Sequence, residues 1–88
     1  MKKIEKKVWP IYFQAILDGN KKYELRINDF AISVGDELFL REWDPKSQSY
    51  TGRELTRKVT YVGKFRLDEL FWSKEDINKH GLQIISLE

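Results

Sequence analysis

The stretch ELFLREW, residues 37–43, decides the fold. Successive side chains of a β-strand point to opposite faces, so Leu38 and Leu40 share one face while Phe39 and Trp43 share the other. A strand that is apolar on both faces is typical of a position inside a sheet that is covered twice. The sequence therefore predicts a central strand here.

Patterns on either side predict four more strands. Apolar and polar residues alternate over residues 2–8 and 22–28, as they do in half-buried strands, and the first of these is expected at a sheet edge. Residues 53–62 form an extended run in which neither face is cleanly apolar. The loop-like residues 44–52 join the central strand to the next one in the manner of a long hairpin. The apolar residues 82–87 close the chain as a final strand.

Two helices are expected beside these strands. Pro10 at a first helical position, apolar residues at helical spacing and Gly19 after the last turn predict a main helix over about residues 10–18. Ser73 and Gly81 bound a second, minor helix. Together the elements favour an α+β domain built as a small mixed β-barrel of about five or six strands, with both helices at its side.

The composition limits the class of protein. A chain of 88 residues has room for one domain over residues 1–88. Hydrophobic residues make up 41% of the chain, including three Trp, which excludes a disordered chain. There is no cysteine and one histidine, so we expect neither a thiolate nor a multi-histidine metal site, and no cofactor.

Charge and hydropathy narrow the expected partners and location. The chain has neither the apolar run of a signal peptide nor a stretch of roughly 20 apolar residues, so we expect a cytoplasmic protein without a membrane partner. The net charge of +2 is too small to indicate nucleic-acid binding by itself. A case for such binding has to rest on local arrangement.

The stretch GNKKYELRINDF, residues 19–30, carries the candidate site. Its alternation predicts one apolar face toward the core and one polar face away from it. The apolar set is Tyr23, Leu25 and Ile27, and the polar set is Glu24, Arg26 and Asn28.

The polar face can gather three charged groups. Glu24 and Arg26 are two residues apart on a strand, so their Cα atoms lie about 6.6 to 7 Å apart on one face. Lys21 joins them if the turn after the main helix directs it to that face. The alternative is an exposed ion pair worth about 0 to 1 kcal/mol beside a solvated lysine.

At these positions the chain resembles a known family. Gly19, Lys21, Glu24 and Arg26 match the GxKxxExR signature of ASCH domains, which are relatives of the PUA-like β-barrels. The blocks YELRIND, VGDELFLREWDP and YTGRELTRKVTYV resemble the phage and bacterial subfamily DUF3850, over roughly residues 3–62. The resemblance implies a single ASCH/PUA-like domain that binds RNA or a modified nucleotide in a cleft where the signature residues gather.

The resemblance also implies a catalytic alternative. One branch of the ASCH domains hydrolyses the amide of acetylated cytidine with a lysine, a threonine and a downstream glutamate. Lys21 matches that lysine, and Glu24 occupies the position of the threonine. Glu75 is a candidate for the downstream glutamate, but its surroundings do not match the family well enough to assign it. The alternative is thus a small metal-independent hydrolase, of amidohydrolase or ribonuclease type, with Glu24 as general base and Lys21 stabilising negative charge.

Other residues complete the expected cleft. Arg26 would hold a phosphate bidentately, with Arg41 beside it. Trp9 or Trp43 would stack on a base, and Asn28 is a further contact. The ordinary alternatives are core packing for the tryptophans and a turn for Asn28. A third function, a phage-type protein-interaction adaptor, would instead predict an apolar surface patch.

Overall fold

The computed structural model describes residues 1–87, which form a three-stranded sheet and two α-helices. The strands are β1 (Lys3–Val8), β2 (Glu37–Asp44) and β3 (Ser49–Lys58). β2 lies in the middle, parallel to β1 and antiparallel to β3. The α+β class and the central position of residues 37–43 are therefore confirmed.

Both predicted helices are present. α1 spans Pro10–Leu17 and starts at its proline, whose fixed φ suits the first helical turn. α2 spans Lys74–His80, and the hydroxyl of Ser73 caps it by accepting the main-chain N–H of the third helical residue. Gly81 ends α2 with a φ of 70°, a conformation that glycine adopts at no steric cost.

α1 packs on one face of the sheet, and the core lies between them. Phe13 of α1 and Leu40 of β2 are each 1% exposed. Val8 and Ile16 complete the buried cluster, and Leu38 packs against it. This small core positions the start of α1 over β1 and β2.

The sheet differs from the predicted barrel. Within residues 1–87, the segments 22–28 and 82–87 form no strand, so the sheet has three strands and is open. β2 already pairs with a strand on each side, which leaves the apolar run 82–87 without a place beside it. Leu87 is accordingly 88% exposed.

Segment 22–28 differs because the residues expected in the core face solvent, while one residue of the polar set, Glu24, turns inward. Leu25 and Ile27 are 65% and 76% exposed, whereas the side chain of Glu24 is only 13% exposed. Arg26 donates a hydrogen bond to the main-chain oxygen of Lys7 in β1. The segment is thus held to the sheet by a side chain instead of a backbone ladder.

β3 starts earlier than predicted. Trp43 pairs with Tyr50 and Asp44 with Ser49, so the hairpin turn is confined to residues 45–48. The two aromatic rings meet edge to face, 5.0 Å apart, and this cross-strand contact extends the pairing into the expected loop. No helix in residues 1–87 has the length and apolar character needed to cross a bilayer.

Candidate ligand-binding site

Lys21, Glu24 and Arg26 converge as the sequence predicted. The Lys21 ammonium nitrogen lies 2.9 Å from one carboxylate oxygen of Glu24, and the Nε of Arg26 lies 2.9 Å from the other. Each oxygen of Glu24 therefore accepts a hydrogen bond from a cation. We call these three residues the ion cluster.

The turn after α1 brings Lys21 into the ion cluster. The main-chain N–H groups of Asn20 and Lys21 both donate to the carbonyl of Ala15, at 3.0 Å. Gly19 makes this turn with a φ of 81°, in the left-handed region where a glycine after a helix is favoured. The Lys21 ammonium also donates to the carbonyl of Tyr23, which fixes the side chain over the turn.

The ion cluster is open to solvent on the side of its arginine. The side chains of Lys21 and Glu24 are 15% and 13% exposed, while that of Arg26 is 31% exposed. Arg26 is therefore the most exposed member of the ion cluster, and a ligand arriving from solvent would meet its guanidinium first.

Two exposed aromatic rings lie next to the ion cluster. Trp9 and Tyr12 stack with ring centroids 6.3 Å apart and an interplanar angle of 21°, and about half of each residue is exposed. The Lys21 ammonium lies 5.6 Å from the Tyr12 ring and 4.8 Å from the Tyr23 ring. The sequence interpretation chose Trp9 but missed Tyr12, although residues three apart at a helix start share a face.

A shallow depression adjoins the ion cluster. It has a volume of about 420 Å³, and Lys21 and Tyr23 form part of its wall. The end of α1 contributes Ala15, and the C-terminal segment contributes Ile84 and Ser86. Of the ion cluster, Lys21 lines this depression, while Glu24 and Arg26 lie outside its wall.

Arg41 does not join the ion cluster. Its guanidinium lies 3.3 Å from a Glu5 oxygen, 3.7 Å from a Glu54 oxygen and 3.7 Å from the centre of the Tyr50 ring. Strand alternation explains this, because Arg41 points to the opposite face from the buried Leu40 and α1. The expectation that Arg41 stands in one cleft with Arg26 is not met.

Trp43 lies on the same sheet face as Arg41. Its ring meets Tyr50 edge to face, and the Lys7 ammonium lies 3.9 Å above it. The expected single cleft is thus divided between the ion cluster and this second group.

Asn28 lies exposed two residues beyond Arg26, and Glu75 lies exposed in the first turn of α2.

The sequence interpretation missed an ion pair between the buried Glu42 and Arg53, whose side chain is 47% exposed. Glu42 is 3% exposed, and the Arg53 guanidinium binds both of its oxygens, at 2.9 and 2.8 Å. Hydrogen bonds from Arg53, and also from the Thr51 hydroxyl, hold the pKa of Glu42 below its usual value. Arg53 also donates to Gln14 of α1, so the pair links the hairpin to the helix.

A second buried carboxylate belongs to Asp36, before β2. It accepts hydrogen bonds from the main-chain N–H groups of Ser33 and Lys2, and these lower its pKa. Alternation could have indicated Glu42, which shares the face of Leu38 and Leu40. Both carboxylates have structural partners, so neither is a candidate for ligand chemistry.

Comparisons with known proteins agree with the motif blocks. The family described as "Domain of unknown function (DUF3850)" matches residues 4–71. An uncharacterized 12.9 kDa protein in the GpA 3' region of Escherichia phage P2 is 36% identical over 58 residues, which is 66% of this chain but only 51% of that relative. No solved structure matches the chain. The chain belongs to the DUF3850 family.

Proposed function

We propose that this protein is an ASCH/PUA-like domain that binds RNA or a nucleotide at the ion cluster and the Trp9–Tyr12 stack. One observation carries the proposal: the exposed Trp9–Tyr12 stack adjoins the ion cluster, with the Lys21 ammonium 5.6 Å from the Tyr12 ring. Aromatic faces and phosphate-binding cations are the two elements with which proteins hold unpaired nucleotides. The signature match of Gly19, Lys21, Glu24 and Arg26 supports the same assignment.

Arg26 is the proposed phosphate ligand. A guanidinium has five N–H donors in a planar fork, and here one is directed to Glu24 and another to the main chain of Lys7. These two bonds orient the side chain, while its exposed part can donate to phosphate oxygens. Lys21 adds a point charge 2.9 Å from the same carboxylate.

Trp9 and Tyr12 are the proposed base platform. Stacking of one base on an aromatic side chain contributes about 1 to 3 kcal/mol. Both rings are about half exposed, so a base can cover them without displacing core residues. The binding energy would therefore combine a salt-dependent part from the ion cluster and a salt-independent part from the rings.

Binding is favoured over hydrolysis by the state of Glu24. Both of its oxygens already accept hydrogen bonds from cations. To take a proton from water, the carboxylate would first have to release one of these partners. A role in orienting Lys21 and Arg26 needs no such rearrangement.

The test is a titration of labelled single-stranded RNA and of mononucleotides at several salt concentrations. Arg26→Ala should lower RNA affinity about tenfold, since charge-assisted hydrogen bonds contribute about 1.5 to 3 kcal/mol. It should also reduce the salt dependence by about 0.7 log units per log unit of salt for each phosphate that the variant no longer neutralises. Arg66→Ala is the matched control, because Arg66 is exposed and pairs only weakly with Asp68, at 3.4 Å.

Equal affinity of Arg26→Ala and Arg66→Ala would show the proposal to be wrong. Turnover of acylated nucleosides that disappears in Lys21→Ala would replace it with the hydrolase. No binding of any RNA or nucleotide by the unmodified protein would leave the adaptor function.

A further inference from the structure

We infer that the ligand is a single-stranded RNA of several nucleotides, which continues from the ion cluster across β1 onto the sheet face opposite α1. This inference rests on the proposed function, because it extends the same binding site. It assigns a role to the second group of aromatic and charged residues, which the ion cluster does not include.

The sheet face opposite α1 carries three rings, each in contact with a cation. The Lys3 ammonium lies 4.7 Å from the Phe39 ring, and the Lys7 ammonium lies 3.9 Å from the Trp43 ring. The Arg41 guanidinium lies 3.7 Å from the Tyr50 ring. We call this group the sheet-face cluster: Lys3, Lys7, Phe39, Arg41, Trp43 and Tyr50.

The register of the strands explains why these residues meet. Lys7 of β1 pairs with Arg41 of β2, and Trp43 of β2 pairs with Tyr50 of β3. Residues that are paired, or two apart on one strand, point to the same face. The rings therefore form a short row, with Phe39 and Trp43 on β2 and Tyr50 beside Trp43 on β3, and each is half-buried.

Lys7 connects the sheet-face cluster to the ion cluster. Its main-chain oxygen accepts the hydrogen bond from Arg26, and its ammonium lies over Trp43. β1 is an edge strand, with β2 on one side only. A strand of RNA leaving Arg26 would thus cross one edge strand to reach the first ring of the row.

The two clusters differ in charge. Glu5 and Glu54 both pair with Arg41, so the sheet-face cluster has nearly as many carboxylates around it as cations. Its contribution to RNA binding would come from stacking rather than from release of counterions. The Lys7 ammonium lies 3.9 Å from the Trp43 ring, so a base that stacks on this face of the ring displaces it.

The inference predicts that affinity increases with ligand length. A single nucleotide can occupy the ion cluster and the Trp9–Tyr12 stack alone. An RNA of about ten nucleotides, within the range of about 4 to 16 that one OB fold covers in single-strand-binding proteins, can contact both clusters.

The experiment compares uridine monophosphate with oligouridylate of about ten nucleotides on the full chain. Trp43→Leu keeps an apolar side chain in the T-shaped contact with Tyr50 but removes the large ring. It should lower the affinity for the oligonucleotide at least about fivefold, leave the affinity for the mononucleotide unchanged, and leave the salt dependence unchanged. Trp72→Leu is the matched control, since Trp72 lies before α2 and is 58% exposed.

Retained mononucleotide binding shows that Trp43→Leu is folded. Tyr50→Leu gives an independent measurement on the neighbouring strand and should show the same selective loss. Equal effects of Trp43→Leu and Trp72→Leu on the oligonucleotide, or an affinity independent of length, would overturn the inference. In that case a loss of binding in Arg26→Ala would still support the proposed function, so the two can fail separately.

Discussion

Two carboxylates of this protein are each bound by an arginine, yet their surroundings differ. Glu42 is almost fully buried and its partner Arg53 lies eleven residues along the chain, on the neighbouring strand. Glu24 pairs with Lys21 and Arg26, which are three and two residues away, at the protein surface. The first pair holds separate elements together, whereas the second arranges charge on one short segment.

The difference teaches how to separate a structural ion pair from a binding group. Arg53 reaches Gln14 of α1 in addition to Glu42, so it links the helix to the hairpin. Arg26 presents nearly a third of its side chain to solvent beside Lys21 and Tyr12. Exposure of the arginine does not separate the two groups, since the Arg53 side chain is 47% exposed and that of Arg26 is 31% exposed. What separates them is that Arg53 links three elements distant in sequence, whereas the ion cluster lies on one short segment beside the exposed Trp9–Tyr12 stack.

The largest expected effect is on stability, at Glu42. Glu42→Gln removes the charge that Arg53 binds and leaves a buried position with a poorer acceptor, so we expect the free energy of unfolding to fall by about 1 to 3 kcal/mol. Urea unfolding measures it. The matched control is Glu54→Gln, whose carboxylate is exposed and 3.7 Å from Arg41, and it should change stability by less than about 0.5 kcal/mol.

The stabilisation by Glu42 should depend on pH. Its pKa is lowered in the folded protein, so its contribution is present above the ordinary value of 4.5 and is lost as the pH falls through the folded value. The stability gap between the unmodified protein and Glu42→Gln should therefore narrow below pH 4.5. Asp36 titrates in both proteins and cancels in the difference. If this stability difference stayed constant until the protein unfolds in acid, the lowered pKa of Glu42 would not be the cause of the stabilisation.

The same substitution at Glu24 sharpens the comparison. Glu24→Gln leaves an uncharged acceptor in a partly exposed cluster, so the free energy of unfolding should fall by about 1 kcal/mol, less than for Glu42→Gln. Urea unfolding beside Glu42→Gln checks this. If Glu24→Gln lowered the free energy of unfolding as much as Glu42→Gln does, the ion cluster would have a structural role and would not be a ligand-binding group.

The smallest effect is expected at Gln14. Gln14→Ala removes the hydrogen bond from Arg53, at 3.1 Å, but replaces glutamine by a better helix former. These effects oppose each other, so stability should change by less than about 0.5 kcal/mol. Thermal unfolding measures the change. If Gln14→Ala destabilised the protein as much as Glu42→Gln does, most of the stabilisation by the Glu42–Arg53 pair would come from the contact of Arg53 with α1.

Particular residues show how far sequence reasoning reached. Pro10, Gly19, Ser73 and Gly81 bounded both helices, because caps and breakers act on the few residues around them. The convergence of Lys21, Glu24 and Arg26 was predicted for the same reason, since all three lie within six residues.

Predictions that depended on distant neighbours were less successful. Alternation in residues 22–28 predicted a strand with Leu25 and Ile27 toward the core, but the segment forms no strand and both residues are exposed. Arg41 and Trp43 were grouped with Arg26, although they lie in the sheet-face cluster. Periodicity states which side chains share a face and is silent on what lies opposite that face.

The amino-acid sequence by itself determined the central strand, the limits of the helices and the local clustering of the signature residues. Only the tertiary structure decided that Glu42 is buried, that Glu24 turns inward and that the rings around β2 stand apart from the ion cluster. The physical reason is range: helix caps, turns and strand alternation act between near neighbours in the chain. Burial depends on contacts between residues far apart in the sequence, such as Arg53 with Glu42 and Arg26 with Lys7.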